Sequence, residues 1–164
     1  MHIPYSDNKN IALFGEQNKT VPLVYFNIIN LKKGESYSYK LPEHETSVVP
    51  ATGIVELEVD GIKLGQIGTR KSDVWEGEPE GSYIPTNAEC RITCLSDSTE
   101  CFIAGGIYEK KLEAFLVQKE EIDTVQYGSD DTKTHRKIKH ILGAKHHEQV
   151  GRLLVNELYT VGAG

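Results

Sequence analysis

The stretch Gly34–Gly53, GESYSYKLPEHETSVVPATG, decides the fold class of this chain of 164 residues. It opens on a turn glycine, alternates serine with tyrosine, and closes on a second glycine before the apolar run Ile54–Val59. Strict alternation is typical of a half-buried β-strand, since side chains two residues apart lie on the same face. The stretch predicts strands at Ser36–Lys40 and Glu45–Val49, and a hairpin at Pro50–Gly53 that leads into Ile54–Val59.

Short strands follow one another on both sides of this stretch. They recur about every ten residues from Ile11 to Ala104 without a convincing amphipathic helix, which is typical of an all-β sandwich or barrel. Asp60-Gly61 predicts a tight hairpin turn, Met1–Asn10 is expected to be a loose arm, and Lys119–Thr134 a polar linker. The other predicted strands are Ile11–Phe14, Val21–Asn30, Ile62–Ile67, Ser82–Pro85, Cys90–Leu95, Glu100–Ala104, Ala114–Val117 and Arg152–Thr160.

Composition and charge argue against several classes of partner. The chain carries 18 basic and 24 acidic residues, a net charge of −6, which disfavours a general affinity for nucleic acid. No apolar run approaches the ~20 residues needed to cross a bilayer, so no membrane partner is expected. The N-terminus MHIPYSDNKN lacks a basic region followed by an apolar core, so no signal peptide is visible. The cysteines, Cys90, Cys94 and Cys101, have no metal-site spacing and indicate reduced thiols in a cytoplasmic protein.

The spacing of Gly34–Gly53 resembles the first motif of the cupins, Gly-x5-His-x-His-x3-Glu-x6-Gly. Both glycines and every spacing match, but Lys40 and Pro42 stand at the histidine positions and Thr46 at the glutamate position. A divalent transition metal requires imidazoles or carboxylates that converge on one point, and these side chains do not supply them. The resemblance implies an all-β cupin, a jelly-roll barrel or sandwich, that keeps its turns and holds no metal.

The second cupin motif is matched less completely, at Pro85–Cys94. Pro85 is kept, and Asn87 replaces the turn glycine, since asparagine tolerates the same left-handed conformation. Cys90 stands at the position of the last metal ligand and Cys94 at that of the motif asparagine. A thiolate site at Cys90 is one interpretation, but a small buried side chain in a strand is favoured, because one thiol without partners cannot build a metal site.

Two further segments carry groups that suit a binding site, His146-His147-Glu148 and the basic run Lys133–His140. Adjacent histidines on one strand point in opposite directions and rarely share a metal, so a solvated surface loop is the favoured interpretation. Arg136, which opens the new pattern RKIKHIL after the linker, is the one weak candidate for substrate binding. A guanidinium suits the carboxylate of a sugar acid in two-pronged contact. No catalytic residue and no metal ligand is assigned in this chain.

Taken together, four segments resemble the 5-deoxy-glucuronate isomerases, two-cupin proteins of myo-inositol breakdown. They are VPLVYFNIINLKKGESYSYKLPEHETSVVPATGIVELEVDG, SDVWEGEPEGSYIPTNAE, RKIKHILG and GRLLVNELYTVGAG. The resemblance implies an aldose–ketose isomerisation of 5-deoxy-glucuronate to 5-dehydro-2-deoxy-gluconate. It also implies a divalent metal, zinc, on three histidines and a glutamate of the second cupin, none of which maps onto this sequence. The 5-keto-4-deoxyuronate isomerases of pectin breakdown share this plan and remain an alternative, as does a non-catalytic cupin module that binds a sugar acid.

The resemblance also implies how the chain is divided. We expect an N-terminal cupin without metal ligands at 1–118, a linker and connecting segment at 119–149, and the start of a second cupin at 150–164. The chain is accordingly expected to be the N-terminal half of the isomerase, inactive by itself, without a cofactor of its own. The strand Arg152–Thr160 is expected either to fold back on the first cupin or to pair with another copy in a homo-oligomer, because a bare hydrophobic edge recruits a partner.

Overall fold

The structure is a computed structural model, and it describes residues 10–15, 24–132 and 135–160. The helical elements in these ranges are single 3-10 turns, and none has the length or apolar character needed to cross a membrane. The all-β prediction is therefore confirmed. The strands are β1 (Val24–Lys32), β2 (Ser36–Lys40), β3 (His44–Thr52), β4 (Val55–Val59), β5 (Ile62–Ile67), β6 (Gly81–Tyr83), β7 (Glu89–Cys94), β8 (Ser98–Ile107), β9 (Phe115–Val117), β10 (Asp123–Tyr127), β11 (Arg136–Leu142) and β12 (Val155–Thr160).

Two antiparallel sheets pack face to face and form the first barrel. One sheet has the strand order β1-β8-β3, and the other has the order β2-β7-β4-β5. Ile29 and Ile103 from the first sheet share a buried cluster with Leu57 and Ile92 from the second, and each of the four is fully buried. Alternation along β1 and β8 puts every second side chain into this cluster, as the sequence pattern predicts.

Turn residues confirm two of the predicted chain reversals. Asp60 and Gly61 both have positive φ, 49° and 79°, as a two-residue hairpin of the mirror-image type requires, and they join β4 to β5. Asn87 has a φ of 59°, so it takes the left-handed conformation expected of the glycine that it replaces.

The hairpin predicted at Pro50–Gly53 is wrong. β3 runs on through Pro50 to Thr52, with a register shift against β8, and β4 belongs to the opposite sheet. Gly53 therefore carries the chain from one sheet to the other. Its φ is 80°, and a Cβ there would lie 2.3 Å from the Ser98 carbonyl oxygen. The register shift between Pro50 and Thr52 is a β-bulge. Proline has no backbone N–H to donate, and a bulge interrupts the pairing, which explains how Pro50 fits within a paired strand.

The linker predicted at Lys119–Thr134 is also wrong, because it contains β10. This strand pairs with β11, which pairs with β12, and the three form a separate antiparallel sheet. Every residue of β10 is exposed, and its alternation is limited to Val125 and Tyr127, which is too short to indicate a strand in a polar segment. At the other end of the chain, the predicted edge strand Ile11–Phe14 makes a single bridge, from Phe14 to Phe26.

Several expectations concern residues outside the described ranges. These are the arm over residues 1–9, the beginning of the strand predicted at Val21–Asn30, and the residues that follow Thr160. Within the described part, β6, β7, β8, β9 and β12 fall inside or overlap their predicted strands.

Candidate functional site

The residues at the cupin ligand positions do not converge inside the barrel. Lys40 and Pro42 are exposed, whereas their neighbours Tyr39 and Leu41 are buried in the core. Thr46 and Cys90, the other two motif positions, are buried, with 1% and 0% of their surface accessible. Side-chain alternation along β2 therefore directs Tyr39, and not Lys40, into the interior.

Tyr39, Thr46 and Cys90 form a neutral group in the interior of the barrel. The Tyr39 hydroxyl and the Thr46 hydroxyl are 2.7 Å apart, and Tyr39 stands opposite Cys90 in the pairing of β2 with β7. Burial raises the pKa of Tyr39 well above its usual value, and burial raises the pKa of the Cys90 thiol to about 12. The thiolate interpretation of Cys90 is thus disfavoured, because the thiol is protonated and inaccessible at neutral pH.

Further aromatic and amide groups fill the rest of the interior. The rings of Tyr25 and Tyr39 stack with centroids 6.4 Å apart, and the Asn27 amide donates to the Tyr37 hydroxyl at 3.0 Å. His44 is buried with its ring 6.5 Å from that of Tyr25. Among the described residues there is no cluster of three or more histidine, cysteine or acidic side chains able to hold a metal. Phenols, hydroxyls, one amide, one imidazole and a protonated thiol do not match the three histidines and one glutamate of a cupin metal site.

A buried charged cluster, which we call the seam, joins the first barrel to the β10–β11–β12 sheet. Arg70 follows β5, only 2% of its surface is accessible, and its guanidinium donates to both carboxylate oxygens of Glu157 in β12 at 2.9 and 2.7 Å. It also donates to the Tyr159 hydroxyl at 2.7 Å and to the Gly77 carbonyl at 3.0 Å. Lys139 of β11 completes the seam by pairing with Glu78.

The charges of the seam compensate one another. Burial lowers the pKa of Arg70, but the hydrogen bonds and charge of Glu157 outweigh that effect, so the net change is upward. Burial raises the pKa of the Tyr159 hydroxyl, which therefore stays protonated as a donor to Glu157. The buried guanidinium is tolerated because it is paired with Glu157 and makes four hydrogen bonds. Its two-pronged contact with Glu157 fixes the position of β12 along the barrel.

A second buried carboxylate holds the chain just before β12. Glu45 of β3 is fully buried and accepts hydrogen bonds from the backbone N–H groups of Gly151 and Arg152, at 2.8 and 2.6 Å. The Tyr83 hydroxyl donates to the same carboxylate at 2.7 Å. Tyr108 packs so closely against this turn that a Cβ on Gly151 would lie 2.4 Å from its ring. Glu45 and Arg70 thus hold the two ends of the segment 151–159.

An apolar groove of about 430 Å³ lies beside the seam, and we call it groove A. The outer face of the first sheet forms its floor, with Phe26 and Phe102 stacked at 6.2 Å. The indole of Trp75, which contacts the Tyr159 ring edge-on at 5.0 Å, lines another side. The remaining residues around groove A are Ser47, Val49, Val74, Ala104, Ile141, Val155, Asn156, Glu157 and Leu158.

The other candidate residues are separated from these features. Arg136 is exposed at the end of β11, opposite Thr160, and belongs neither to the barrel interior nor to the seam. The surface-loop interpretation is wrong for His146, which is 8% exposed in a 3-10 turn and stacks on Phe115 at 5.6 Å. Burial lowers the pKa of its imidazole. His147 is exposed, as expected, and its Nδ1 lies 2.9 Å from the Ala144 carbonyl oxygen.

Sequence patterns do not identify the two buried charged side chains that matter most here, Glu45 and Arg70. Glu45 precedes Thr46 in the motif stretch, where it is one polar residue among several. One signal was present in β12, where Glu157 and Tyr159 are two residues apart and so share a face. A glutamate on the buried face of a strand requires a cationic partner, but the sequence gives no indication that this partner is Arg70.

Comparison with known proteins identifies the family. A family model, that of the KduI/IolB family, matches residues 3–164. An IolB-like protein from Salmonella typhimurium LT2 is similar at a TM-score of 0.79 and 25% identity, over 95% of this chain and 57% of that one. A Pseudomonas aeruginosa protein whose name refers to induction by glyoxylate is similar at a TM-score of 0.56 and 15% identity, over 88% and 53% respectively. A cupin protein from Bacteroides fragilis matches at a TM-score of 0.46 and 16% identity, over 69% and 87%.

These comparisons show which family the chain belongs to and how much of its relatives' length it covers. A search of curated proteins finds no match. The chain spans little more than half the length of the Salmonella and Pseudomonas proteins. Its two packed antiparallel sheets are the cupin jelly roll that the sequence predicts. The chain belongs to the KduI/IolB family, a family of sugar-acid isomerases.

Proposed function

We propose that this chain is the N-terminal, metal-free cupin of a 5-deoxy-glucuronate isomerase, which forms 5-dehydro-2-deoxy-gluconate in myo-inositol breakdown. In this proposal the first barrel has a scaffolding role, and the metal and substrate are held by a second cupin that the chain itself does not contain. The observation that supports the proposal is the interior of the barrel, where the Tyr39 and Thr46 hydroxyls and the Cys90 thiol form a neutral group. The first motif carries no imidazole or carboxylate at its ligand positions.

The family assignment supports the reaction class, and the structural relative favours the substrate. The Salmonella protein, which is 25% identical over 95% of this chain, is described as IolB-like. The sequence resemblance in GRLLVNELYT and the preceding ILG points in the same direction. The free, buried cysteines fit the cytoplasmic location expected of an enzyme of sugar-acid breakdown.

The seam supports the scaffolding role. Arg70 and Glu45 belong to the first barrel, but their hydrogen bonds go to residues 151–159, in the segment expected to begin the second cupin. Both side chains are buried, so the barrel determines where this strand lies. A rigid platform of this kind keeps a neighbouring site in one geometry, which a reactive centre needs.

A comparison of two proteins tests the proposal. The 164-residue chain and the full product of its gene should each be assayed for isomerisation of 5-deoxy-glucuronate and of 5-keto-4-deoxyuronate, with zinc supplied. We expect activity on 5-deoxy-glucuronate from a longer product and none from the 164-residue chain. Turnover by the 164-residue chain contradicts the scaffolding role. Activity only on 5-keto-4-deoxyuronate selects the pectin-pathway alternative.

The remaining alternative is a module that binds a sugar acid without turnover. It predicts that glucuronate raises the thermal unfolding midpoint of the 164-residue chain in a saturable way, because a ligand that binds only the folded state stabilises it. Arg136→Ala tests the weak candidate directly. Loss of such a shift in this variant supports the module, and no shift in the unmodified chain removes this alternative.

A further inference from the structure

A second cavity of about 430 Å³ shares no lining residue with groove A, and we call it the His146 pocket. Its walls come from residues 112–116, which lead into β9, and from Glu121, His146, Glu148 and Gln149. The volume lies in the range of small-molecule sites, about 300–1,000 Å³. Because no residue of β12 borders it, the His146 pocket does not depend on the edge of that strand.

The imidazole of His146 is the buried polar group of this pocket. Only 8% of the residue's surface is accessible, and one face of its ring stacks on Phe115 with centroids 5.6 Å apart. Its Nδ1 atom accepts a hydrogen bond from the backbone N–H of Gly143 at 3.4 Å. Its Nε2 atom has no hydrogen-bond partner among the residues that the structure describes. With Gly143 at the Nδ1 edge, the Nε2 edge is left to face the pocket.

The hydrogen bond at Nδ1 fixes which nitrogen of His146 carries the proton. A neutral imidazole has one N–H donor and one acceptor, so an acceptor at Nδ1 places the proton on Nε2. Burial lowers the pKa of this imidazole, which keeps the ring neutral at pH 7. The pocket therefore receives an N–H donor from His146. A metal ion would instead require a lone pair at that atom.

The remaining polar groups of the pocket are mainly acceptors. They are the carboxylates of Glu113, Glu121 and Glu148 and the amide of Gln149. The Glu121 carboxylate is close enough to His146 for its charge to act on the pKa of the imidazole. One of its oxygens accepts from the Gln118 N–H at 2.8 Å, and a carboxylate has about four acceptor positions, so others stay open. No lysine or arginine lines this pocket in the described part of the chain.

These groups match a neutral molecule that carries several hydroxyls. A hydroxyl can accept from the Nε2–H of His146, and another can donate to a carboxylate, so each polar group gains a partner. An anion would meet three carboxylates. An ammonium group has donors only and would leave the Nε2–H without an acceptor. Leu112, Ala114 and Leu116 form an apolar wall that suits the C–H face of a sugar ring.

We propose that the His146 pocket binds a neutral sugar or similar polyol. The Nε2–H of His146 donates to one hydroxyl, and the Glu121 carboxylate accepts from another. The pocket rejects sugar acids, because their carboxylate would face those of Glu113, Glu121 and Glu148. The proposal concerns binding without turnover and does not depend on the isomerase reaction.

The first test uses three probes that share one ring and differ in charge. They are glucose, which is neutral, glucuronate, which is an anion, and glucosamine, which carries an ammonium group at pH 7. Each is titrated into the isotope-labelled 164-residue chain, and the imidazole nitrogens are followed by NMR. We expect glucose to shift the Nε2 signal of His146 in a saturable way, and the two charged probes to leave it in place. The absence of a saturable shift with glucose, or a tighter response to either charged probe, overturns the proposal.

The second test removes the donor. His146→Phe keeps a ring that can stack on Phe115 but has no N–H, so glucose binding, followed by the backbone amide shifts of Glu121 and Gln149, should weaken by about tenfold. His147→Phe is the matched control, because His147 is the exposed neighbour that does not line the pocket, and it should leave binding unchanged. Equal binding by His146→Phe and the unmodified chain contradicts the assignment of His146. Circular dichroism shows whether each variant is folded.

The third test changes the charge at an exposed position, where folding is not at risk. Glu121→Gln keeps an oxygen acceptor but removes one negative charge from the pocket. We expect it to retain glucose binding within a few-fold and to bind glucuronate several-fold more tightly than the unmodified chain does. A variant that responds to both probes as the unmodified chain does would show that Glu121 does not contact the ligand, which contradicts the proposed site.

Discussion

The barrel interior and the seam are both buried and polar, but they are built from different chemistry. The interior uses uncharged groups, with the Tyr39 and Thr46 hydroxyls 2.7 Å apart and a protonated Cys90 beside them. The seam uses charges, with Arg70 bound through both of its terminal nitrogens to Glu157. Neutral contacts tolerate some repacking, whereas a buried ion pair fails when one partner is removed. The comparison teaches that the barrel fixes the position of the neighbouring β10–β11–β12 sheet mainly through the charge pairs of the seam.

Arg70→Met should have the largest effect, because it leaves the Glu157 carboxylate in the seam without its partner. We expect a loss of about 3 kcal/mol in the free energy of unfolding measured with urea, the low end for a broken buried pair. The low end applies because 20% of the Glu157 side chain is accessible. Amide exchange should accelerate in β12 before it does in β4 and β7.

The double variant Arg70→Met, Glu157→Leu is the control for this prediction. Replacing both charges by apolar side chains of similar size should restore most of the stability. A double variant that is as unstable as Arg70→Met would show that shape, and not charge pairing, holds the seam together.

Gly151→Ala should have the next largest effect. The new Cβ would lie 2.4 Å from the Tyr108 ring and 2.6 Å from the Glu45 carboxylate, so the turn must move away from Glu45. We expect about 1–3 kcal/mol of destabilisation, as for other overpacked sites. Gly77→Ala is the matched control, because its nearest contact would be 3.6 Å from the Thr69 hydroxyl, and it should be close to neutral.

Tyr39→Phe should cost less, about 1 kcal/mol, as one buried hydroxyl pair is lost. The Thr46 hydroxyl would lose its tyrosine partner, and the companion change Thr46→Val should recover part of the cost. Urea unfolding of the two single variants and the double variant gives the coupling energy. A coupling of zero would mean that the interior group does not act as a unit.

His146 should give the smallest effect, visible only as a dependence on pH. Burial lowers its pKa, so the unfolded state takes up the proton first as pH falls. Stability is therefore fully present above the ordinary histidine pKa of about 6.5 and declines as pH falls below it. In His146→Gln, the thermal unfolding midpoint should depend less on pH, between about pH 7 and pH 5, than it does in the unmodified chain. His147→Gln, at an exposed position, should leave the profile unchanged.

The sequence predicts the strands of the first barrel well, because their apolar residues alternate along β1, β2 and β8. It fails at Pro50–Gly53, where β3 continues through a bulge and a glycine changes sheets, which is a tertiary event without a local signature. It fails at β10 because the alternation there is limited to Val125 and Tyr127 in an otherwise polar, exposed segment. The motif spacing assigns Lys40 to an inward-facing position, whereas the alternation of β2 buries Tyr39 and exposes Lys40. The Glu157 partner of Arg70 lies 87 residues away in the chain, and the backbone partners of Glu45 lie 106 and 107 residues away, beyond any local rule.

Metal analysis of the folded 164-residue chain tests the central claim most directly. The chain should be saturated with zinc, passed through a desalting column and measured by mass spectrometry for bound metal. The account predicts a substoichiometric amount of zinc that does not change in Thr46→Val or Cys90→Ala. One zinc per chain that is lost in either variant would contradict the account, because it would place a metal among residues that form a closed, neutral core.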